Sequence, residues 1–348
     1  MPLWPLNKTF MLRRYSIQLI LIACGGLLTY VAYEELLSLY TLSVLMFMGV
    51  NVILSTSLNL VNGNMGEFSC GHAGFMCVGA YVSSILGVWL FAKDKVFGAP
   101  VLDPELALFA FPFIILAGGL AAALAGLLVA IPSYKTRGDY LAIITIAANY
   151  IIISAIENIG FIGGSRGFMG MKRVITAMED IAFLPWMPMW VFAFTIFCVW
   201  MIRRYVSSTF GKGVNAISQD EVAAEIMSVN TNKIKTVTFM VSSGLAGIGG
   251  GLFAYIIGYV NPGSFNILKS TEVMVMVYLG GMASLSGAIL SAILFTIMLE
   301  LLRPLQIIKW VVIPLVLIIV MQFRPEGLMG NRELSDIFPW LKRFYKFK

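Results

Sequence analysis

Charge is what this sequence has least of. Asp, Glu, Lys and Arg make up 12% of its 348 residues, about half the share of an ordinary soluble domain. Histidine occurs once, as His72. A Ser/His/Asp set would have to be built around that single ring, a multi-histidine metal site cannot be built, and an HExxH helix is missing. With no evident pairing group, His72 reads as a satisfied core or loop residue rather than a ligand or proton carrier. The four cysteines, Cys24, Cys70, Cys77 and Cys198, sit in or beside apolar segments without CxxC spacing, which indicates neither a disulfide framework nor a zinc site. The only Gly-Lys pair, Gly211 and Lys212, is followed by Gly213 and lacks the upstream glycine of a P-loop, so the usual ATP cradle is missing and no cofactor is expected in this chain. Paired intramembrane charges of the kind that mark ion-driven carriers are scarce too. Glu67, Glu157 and Glu300 are the carboxylates to weigh, and the latter two lie near run ends where they can reach water.

Apolar residues fill the space that charge leaves. They reach 59% of the chain, with a mean hydropathy of +0.87, so the solvent for most of this protein is lipid. The 33 glycines fit that reading, because small residues let membrane helices approach closely. The net charge of +6 does not point to nucleic acid, since the basic residues gather at the edges of apolar runs, where the positive-inside rule puts them. Lys8, Arg13 and Arg14 precede an apolar run containing LIAC at 21–24, similar to the lipid-attachment site of a lipoprotein signal. The run continues through GGLLTYVAY and more apolar segments follow, so an uncleaved first helix is expected.

Segments long enough to span a bilayer lie near 16–33, 38–60, 72–92, 106–131, 141–159, 181–202 and 236–260, with a longer run over 273–302 and a last one over 305–323. No polar region is large enough for a separate soluble domain, so residues 1–348 form one transmembrane unit. With the basic N-terminus inside the cell, alternation places Lys135 and Arg137 inside, then the loop holding Arg203, Arg204, Lys212, Lys233 and Lys235. The loop with Arg166, Lys172 and Arg173 falls outside, against the charge rule. The basic tail, 324–348, belongs inside, yet nine single crossings would strand it outside. The 273–302 run is broken by LGGMASLSG, where Gly280, Gly281, Ser284, Ser286 and Gly287 weaken a continuous helix. It therefore reads as a hairpin, either two short spans or a re-entrant loop. The expected fold is all-α, a polytopic membrane protein of eight to ten segments with both termini in the cytoplasm.

Two polar interruptions stand out. NLVNGNMGEFSCGHAGF, residues 59–75, is either an ordinary surface loop or part of a lined path, and the depth of Glu67 decides which. SQDEVAAEIMSVNTNKIK, residues 218–235, is the most hydrophilic internal run. Ser218 and Glu221 fit a capping box, with Asp220 and Glu221 suiting the positive end of a helix dipole. Ala223, Ala224, Ile226 and Met227 then give a compact apolar surface, and SVNTN closes the helix. About ten residues cannot hold a helix alone in water. Lys233 and Lys235 would fasten it to the membrane surface, and its alanine-rich face, without bulky aromatic anchors, suits a protein partner better than lipid.

Taken together, these stretches resemble the permease subunits of bacterial ABC importers for branched-chain amino acids. The motifs are SLNLVNGNMGEFSCGHAGFMCVGAY, KTRGDYLAIITIAAN, IGGSRGFMGM, the run FGKGVNAISQDEVAAEIMSVNTNKIK leading into SSGLAGIGGGLFA, YLGGMASLSGAILSA and RPEGLMG. They occur in order over nearly the whole chain. Ser228 stands where the family usually has glycine, and Cys70 where it more often has an aliphatic residue. The resemblance implies a non-catalytic subunit of the inner membrane that pairs with a second permease, and it favours a different chain for that partner. Two cytoplasmic ATPase subunits carrying ATP and Mg would dock on the coupling segments, 203–235 in this chain, and a periplasmic binding protein would deliver the solute. Ser218, Asp220, Glu221, Ala223, Ala224, Ile226 and Met227 are the candidates for the joint. Asn59, Asn62, Glu67, Ser69, His72, Gly280, Gly281 and Ser284 are candidates for the solute path. The competing reading is a stand-alone channel or ion-coupled carrier, which would transport without an ATPase.

Overall fold

A computed structural model describes residues 25, 26, 29–31, 33, 34, 37–93, 97–134, 140–181, 184–282, 284–324, 326–330, 332, 333 and 336. Most of the expected first span, and the loop with Lys135 and Arg137, lie outside them. Ser38 opens α1 (Leu39–Asn59), its hydroxyl accepting from the Thr41 amide at 3.2 Å, and α1 runs into a π-turn at Leu60–Asn64. Irregular backbone over 65–71 leads into α2 (His72–Phe91). Next come α3 (Ala107–Ser133), α4 (Tyr140–Glu157), α5 (Met171–Ile181) and α6 (Trp186–Val206). Two short helices, α7 (Thr209–Gln219) and α8 (Glu221–Ile226), precede α9 (Thr231–Ile257). The chain closes with α10 (Ile267–Gly280), α11 (Leu285–Leu301) and α12 (Lys309–Phe323). Among the described residues, strand pairing is confined to β1 (Phe168–Met169) and β2 (Tyr259–Val260), joined antiparallel.

Six helices among the described residues are long and apolar enough to cross a membrane: α1 with its π-turn, α2, α3 with the turn before it, α4, α6 and α9. The expected eight to ten is therefore not reached by length alone. Most of the expected first span lies outside the described residues, and the last three helices are short: α10 has 14 residues, α11 has 17 and α12 has 15. At 1.5 Å per residue these give about 21 to 26 Å, against roughly 30 Å of hydrocarbon. The glycine break itself is where the sequence places it, between Gly280 and Leu285.

At the centre, α9 packs against α1, α2 and α3. It reaches them because five glycines between 244 and 251 let its backbone approach theirs. A Cβ on Gly79 of α2 would sit 2.2 Å from the Gly247 carbonyl oxygen of α9, and one on Gly250 would sit 2.0 Å from the Met76 oxygen. Polar side chains then tie helix to helix where lipid offers no partner. Ser242 Oγ donates to Ser57 O at 2.6 Å, Ser55 Oγ to Ala288 O at 3.0 Å, and Asn51 Nδ2 to Thr296 Oγ1 at 2.9 Å. Large side chains fill what remains, with the Phe111 ring set edge-on to Tyr255 at 4.9 Å.

The sequence reading passed over α5 as loop. It is amphipathic, burying Met171, Val174 and Met178 at three- and four-residue spacing. Part of the tail, 326–330 and Glu333, packs on the hairpin. Leu328 N donates to Leu279 O at 2.8 Å and Met329 N to Gly280 O at 3.1 Å. Glu333 accepts from the Leu285 and Ser286 amides at 2.9 and 3.2 Å.

Candidate functional site

The two glycine-broken segments meet. Gly63, in the π-turn, lies so close to the hairpin break that a Cβ would fall 1.5 Å from Met282 O, and Asn59 Nδ2 donates to Ser284 O at 3.3 Å. At the break Gly281 adopts φ +109, a conformation open to glycine, and Ser284 Oγ caps α11 by accepting from Gly287 N at 3.0 Å. Gly280 lets α10 and α11 touch, since its Cβ would stand 2.4 Å from Gly287 O.

From the π-turn the chain doubles back. Asn62 holds the return, accepting from Ser69 N at 3.1 Å and donating to Ser69 O at 3.4 Å. Cys70 N donates to Thr145 Oγ1 of α4 at 3.1 Å, and Ala73 N to Ser270 Oγ of α10 at 3.0 Å. His72 Nε2 lies 2.8 Å from Ser57 Oγ, seven residues before the end of the π-turn and so about two helical turns back from it. Asn59, Asn62, Ser69 and His72 are all buried. Irregular backbone between spanning helices is tolerated where protein encloses it, and 69–72 are enclosed. His72 has the partner that its sequence neighbourhood did not reveal.

Asn149 of α4 was not among the sequence candidates. It is fully buried with its Oδ1 only 2.8 Å from where a Gly74 Cβ would stand, and neither of its amide atoms has a partner among the described residues. Asn59 Oδ1 is likewise unpartnered. The usable signal was an asparagine in the otherwise apolar run LAIITIAAN. Replacing Asn149 by leucine removes no hydrogen bond and is expected to leave thermal stability in detergent unchanged or raised. Asn62→Leu strands a buried Ser69 amide and is expected to cost about 1 to 3 kcal/mol in the same unfolding measurement.

The polar insert corrects several expectations. Ser218 is not a cap. It closes α7, its Oγ donating to Asn215 O at 3.0 Å, and its Cβ lies 3.6 Å from where a Gly66 Cβ would be. Asp220, with extended φ −160 and ψ 112, caps α8 instead, accepting from Ala223 N at 3.0 Å. The helix is six residues, Glu221–Ile226, rather than about ten. Nor is the apolar surface the compact one foreseen: Ala224 is buried in this chain's own fold, while Val222, Ile226 and Met227 are 66, 77 and 78% exposed. Ser228 takes φ +63, the left-handed conformation that a glycine adopts without strain.

Lys235 is turned into the protein rather than outward as an anchor. It is 6% exposed, and its Nζ pairs with Glu67 Oε1 at 2.6 Å and Glu221 Oε1 at 2.8 Å. It also stands 5.8 Å from the Tyr134 ring centre. Burial, with Glu67 adding to it, holds the Tyr134 phenol well above its usual range, so that ring meets the ammonium as a neutral π face. Glu221 thus turns toward α9 and not back to an amide of its own helix. Thr231 Oγ1 donating to Glu225 Oε1 at 2.9 Å makes a second strap between α8 and α9.

Long apolar helices enclosing a glycine-broken, polar centre, with a small polar insert on one face, define a multi-pass membrane transport protein of the permease class. Residues 40–321 match the family model described as the branched-chain amino acid transport system permease component. The chain belongs to that family. It is 28% identical to the high-affinity branched-chain amino acid transport system permease protein LivM of Escherichia coli K12, over 86% of this chain and 72% of that protein. It is 21% identical to the probable branched-chain amino acid transport permease protein LivM of Methanocaldococcus jannaschii, over 86 and 95%. To LivH of Salmonella typhimurium, a permease protein of the same system name, it is 21% identical over 84 and 96%. No solved structure matches it.

Proposed function

We propose that this chain is one permease subunit of an ATP-driven importer, forming part of the translocation path for branched-chain or related amino acids. It sits in a bacterial inner membrane with about ten crossings, α10, α11 and α12 included, and with both termini in the cytoplasm. A second permease completes the path, and the match to proteins named both LivM and LivH supports a different chain as that partner. A periplasmic binding protein delivers the solute, and ATP with Mg is held by two cytoplasmic subunits. The buried amide atoms of Asn59 and Asn149, unpartnered beside Gly63 and Gly74, are the polar groups this reading assigns to the path when it opens.

The observation that carries this reading is the ridge of Val222, Ile226 and Met227. An apolar ridge on a helix too short to stand alone, strapped to α9 by Lys235 and by Thr231, is a surface built to be covered. Its occupant is an ATP-binding subunit, because the basic residues of 203–235 put this face in the cytoplasm and the chain lacks a nucleotide cradle of its own. Ile226→Glu with Met227→Glu is expected to weaken ATPase association at least about thirtyfold and to stop uptake, while the permease still elutes as a folded species. A tagged chain that purifies from its native membrane without any ATP-hydrolysing partner, and transports in vesicles without ATP, would overturn the reading.

A further inference from the structure

We propose that Lys235 is a positioning residue that hands movement of α8 to the glycine-broken centre, its ammonium joining Glu221 of α8 to Glu67 of the 65–71 return. This rests on the reading that α8 receives an ATPase. Lys235 belongs to the second turn of α9, the helix against which α1, α2 and α3 pack, so the ammonium is anchored to the most enclosed part of the fold. An ammonium has three donors and no acceptor. Two face carboxylates from segments 154 residues apart in sequence (221 − 67), and the nearest ring, Tyr134, closes the third side.

What lies beyond Glu67 gives the link its consequence. Two residues on is Ser69, bonded through both its amide and its carbonyl to Asn62. Asn62 is in the same π-turn as Gly63, which touches the hairpin break at Met282. Ser218 of α7 lies beside Gly66, its Cβ 3.6 Å from where a Gly66 Cβ would be, so the insert runs alongside the return next to the Glu67 pair. The two arms of the hub differ, since the Glu221 side chain is 46% exposed and that of Glu67 is 22%. Glu221 regains water readily when α8 shifts, whereas Glu67 remains tied to Lys235. The hub therefore has two discrete arrangements, with Glu221 on Lys235 or released to water, and a two-state element of that kind is what coupling between α8 and the return requires.

The test uses the complete importer in proteoliposomes, with co-purification of the ATP-binding subunit measured beside the ratio of solute-stimulated to basal ATP hydrolysis. Lys235→Met is expected to keep the subunit bound and to lower the ratio about tenfold, within the usual span of coupling between sites. Lys235→Arg keeps the charge and is expected to retain most of the stimulation. Glu221→Gln, at a half-exposed position that the fold tolerates, is expected to lower the ratio in the same direction. If the ATP-binding subunit never co-purifies with the unaltered chain, the importer reading fails whatever Lys235 does. If it does co-purify and both Lys235→Met and Glu221→Gln couple as the unaltered protein does, the proposal is overturned. Should Lys235→Met fail to fold, Glu221→Gln alone decides: lost stimulation supports the link and unchanged stimulation overturns it.

Discussion

Gly79→Val is expected to leave almost no folded protein in the membrane. The first added carbon would stand 2.2 Å from the Gly247 oxygen and 2.5 Å from its carbonyl carbon. Both atoms are backbone within α9, so no side chain can swing aside to make room. Nor can the helix retreat, because one turn further along, Gly250 is pressed equally hard on Met76, and Gly247 itself lies against Ala122 of α3. Moving α9 away from α2 would open the α9–α3 and α9–α1 faces together. Overpacking a core costs about 1 to 3 kcal/mol when side chains can adapt, and here the cost exceeds that range, against a total stability of about 5 to 15 kcal/mol. Gly160→Ala is the control, since nothing lies within 4 Å of its added carbon. The check is the yield of monodisperse protein after detergent extraction. Equal yields from the two variants would mean that α2 and α9 do not meet in this way.

That packing was only half legible in the sequence. The helices themselves were, because a segment in lipid must satisfy its own backbone and stay apolar for about 20 residues, and the glycine break at 280–287 announced the hairpin. The depth of 69–72 was not legible. It is set by Thr145, Ser270 and Ser57, groups on three other helices that reach this stretch only after the whole bundle has closed. The start of α8 failed for a different reason. Ser218 and Asp220 both satisfy the local rule for a cap, and α7 settles the matter by extending through Ser218. Glu221 is then drawn off by Lys235, a lysine whose sequence position suggested only a membrane anchor. Local patterns recorded which residues want partners, and long-range closure decided who the partners are. α5 is the exception, since its buried spacing was present in the sequence and was masked by the apolar level of everything around it.

Glu333→Leu is expected to loosen the hairpin break more than any other single change in the tail. The carboxylate accepts from Leu285 N at 2.9 Å, from Ser286 N at 3.2 Å and from Ser286 Oγ at 2.5 Å. Those are the first amides of α11, where a helix leaves donors unfilled and presents the positive end of its dipole. Ser284 satisfies only Gly287 N, so without Glu333 two further amides at a largely enclosed helix start lose their acceptor. Hydrogen bonds to a charged group contribute about 1.5 to 3 kcal/mol each, and an orphaned donor adds to the loss, which makes about 3 kcal/mol a lower bound. Glu333→Gln, which keeps one carbonyl oxygen, should fall between. Truncation separates this from a general need for the tail. Ending the chain after Asp336 keeps the carboxylate and is expected to keep the exchange protection at 285–288. Ending it after Arg324 also removes the Leu328 and Met329 bonds to the last turn of α10 and should melt lowest of all. Thermal unfolding in detergent, with hydrogen exchange at residues 285–288, reads both effects. Unchanged melting and exchange in Glu333→Leu would show that Ser284 alone holds the start of α11.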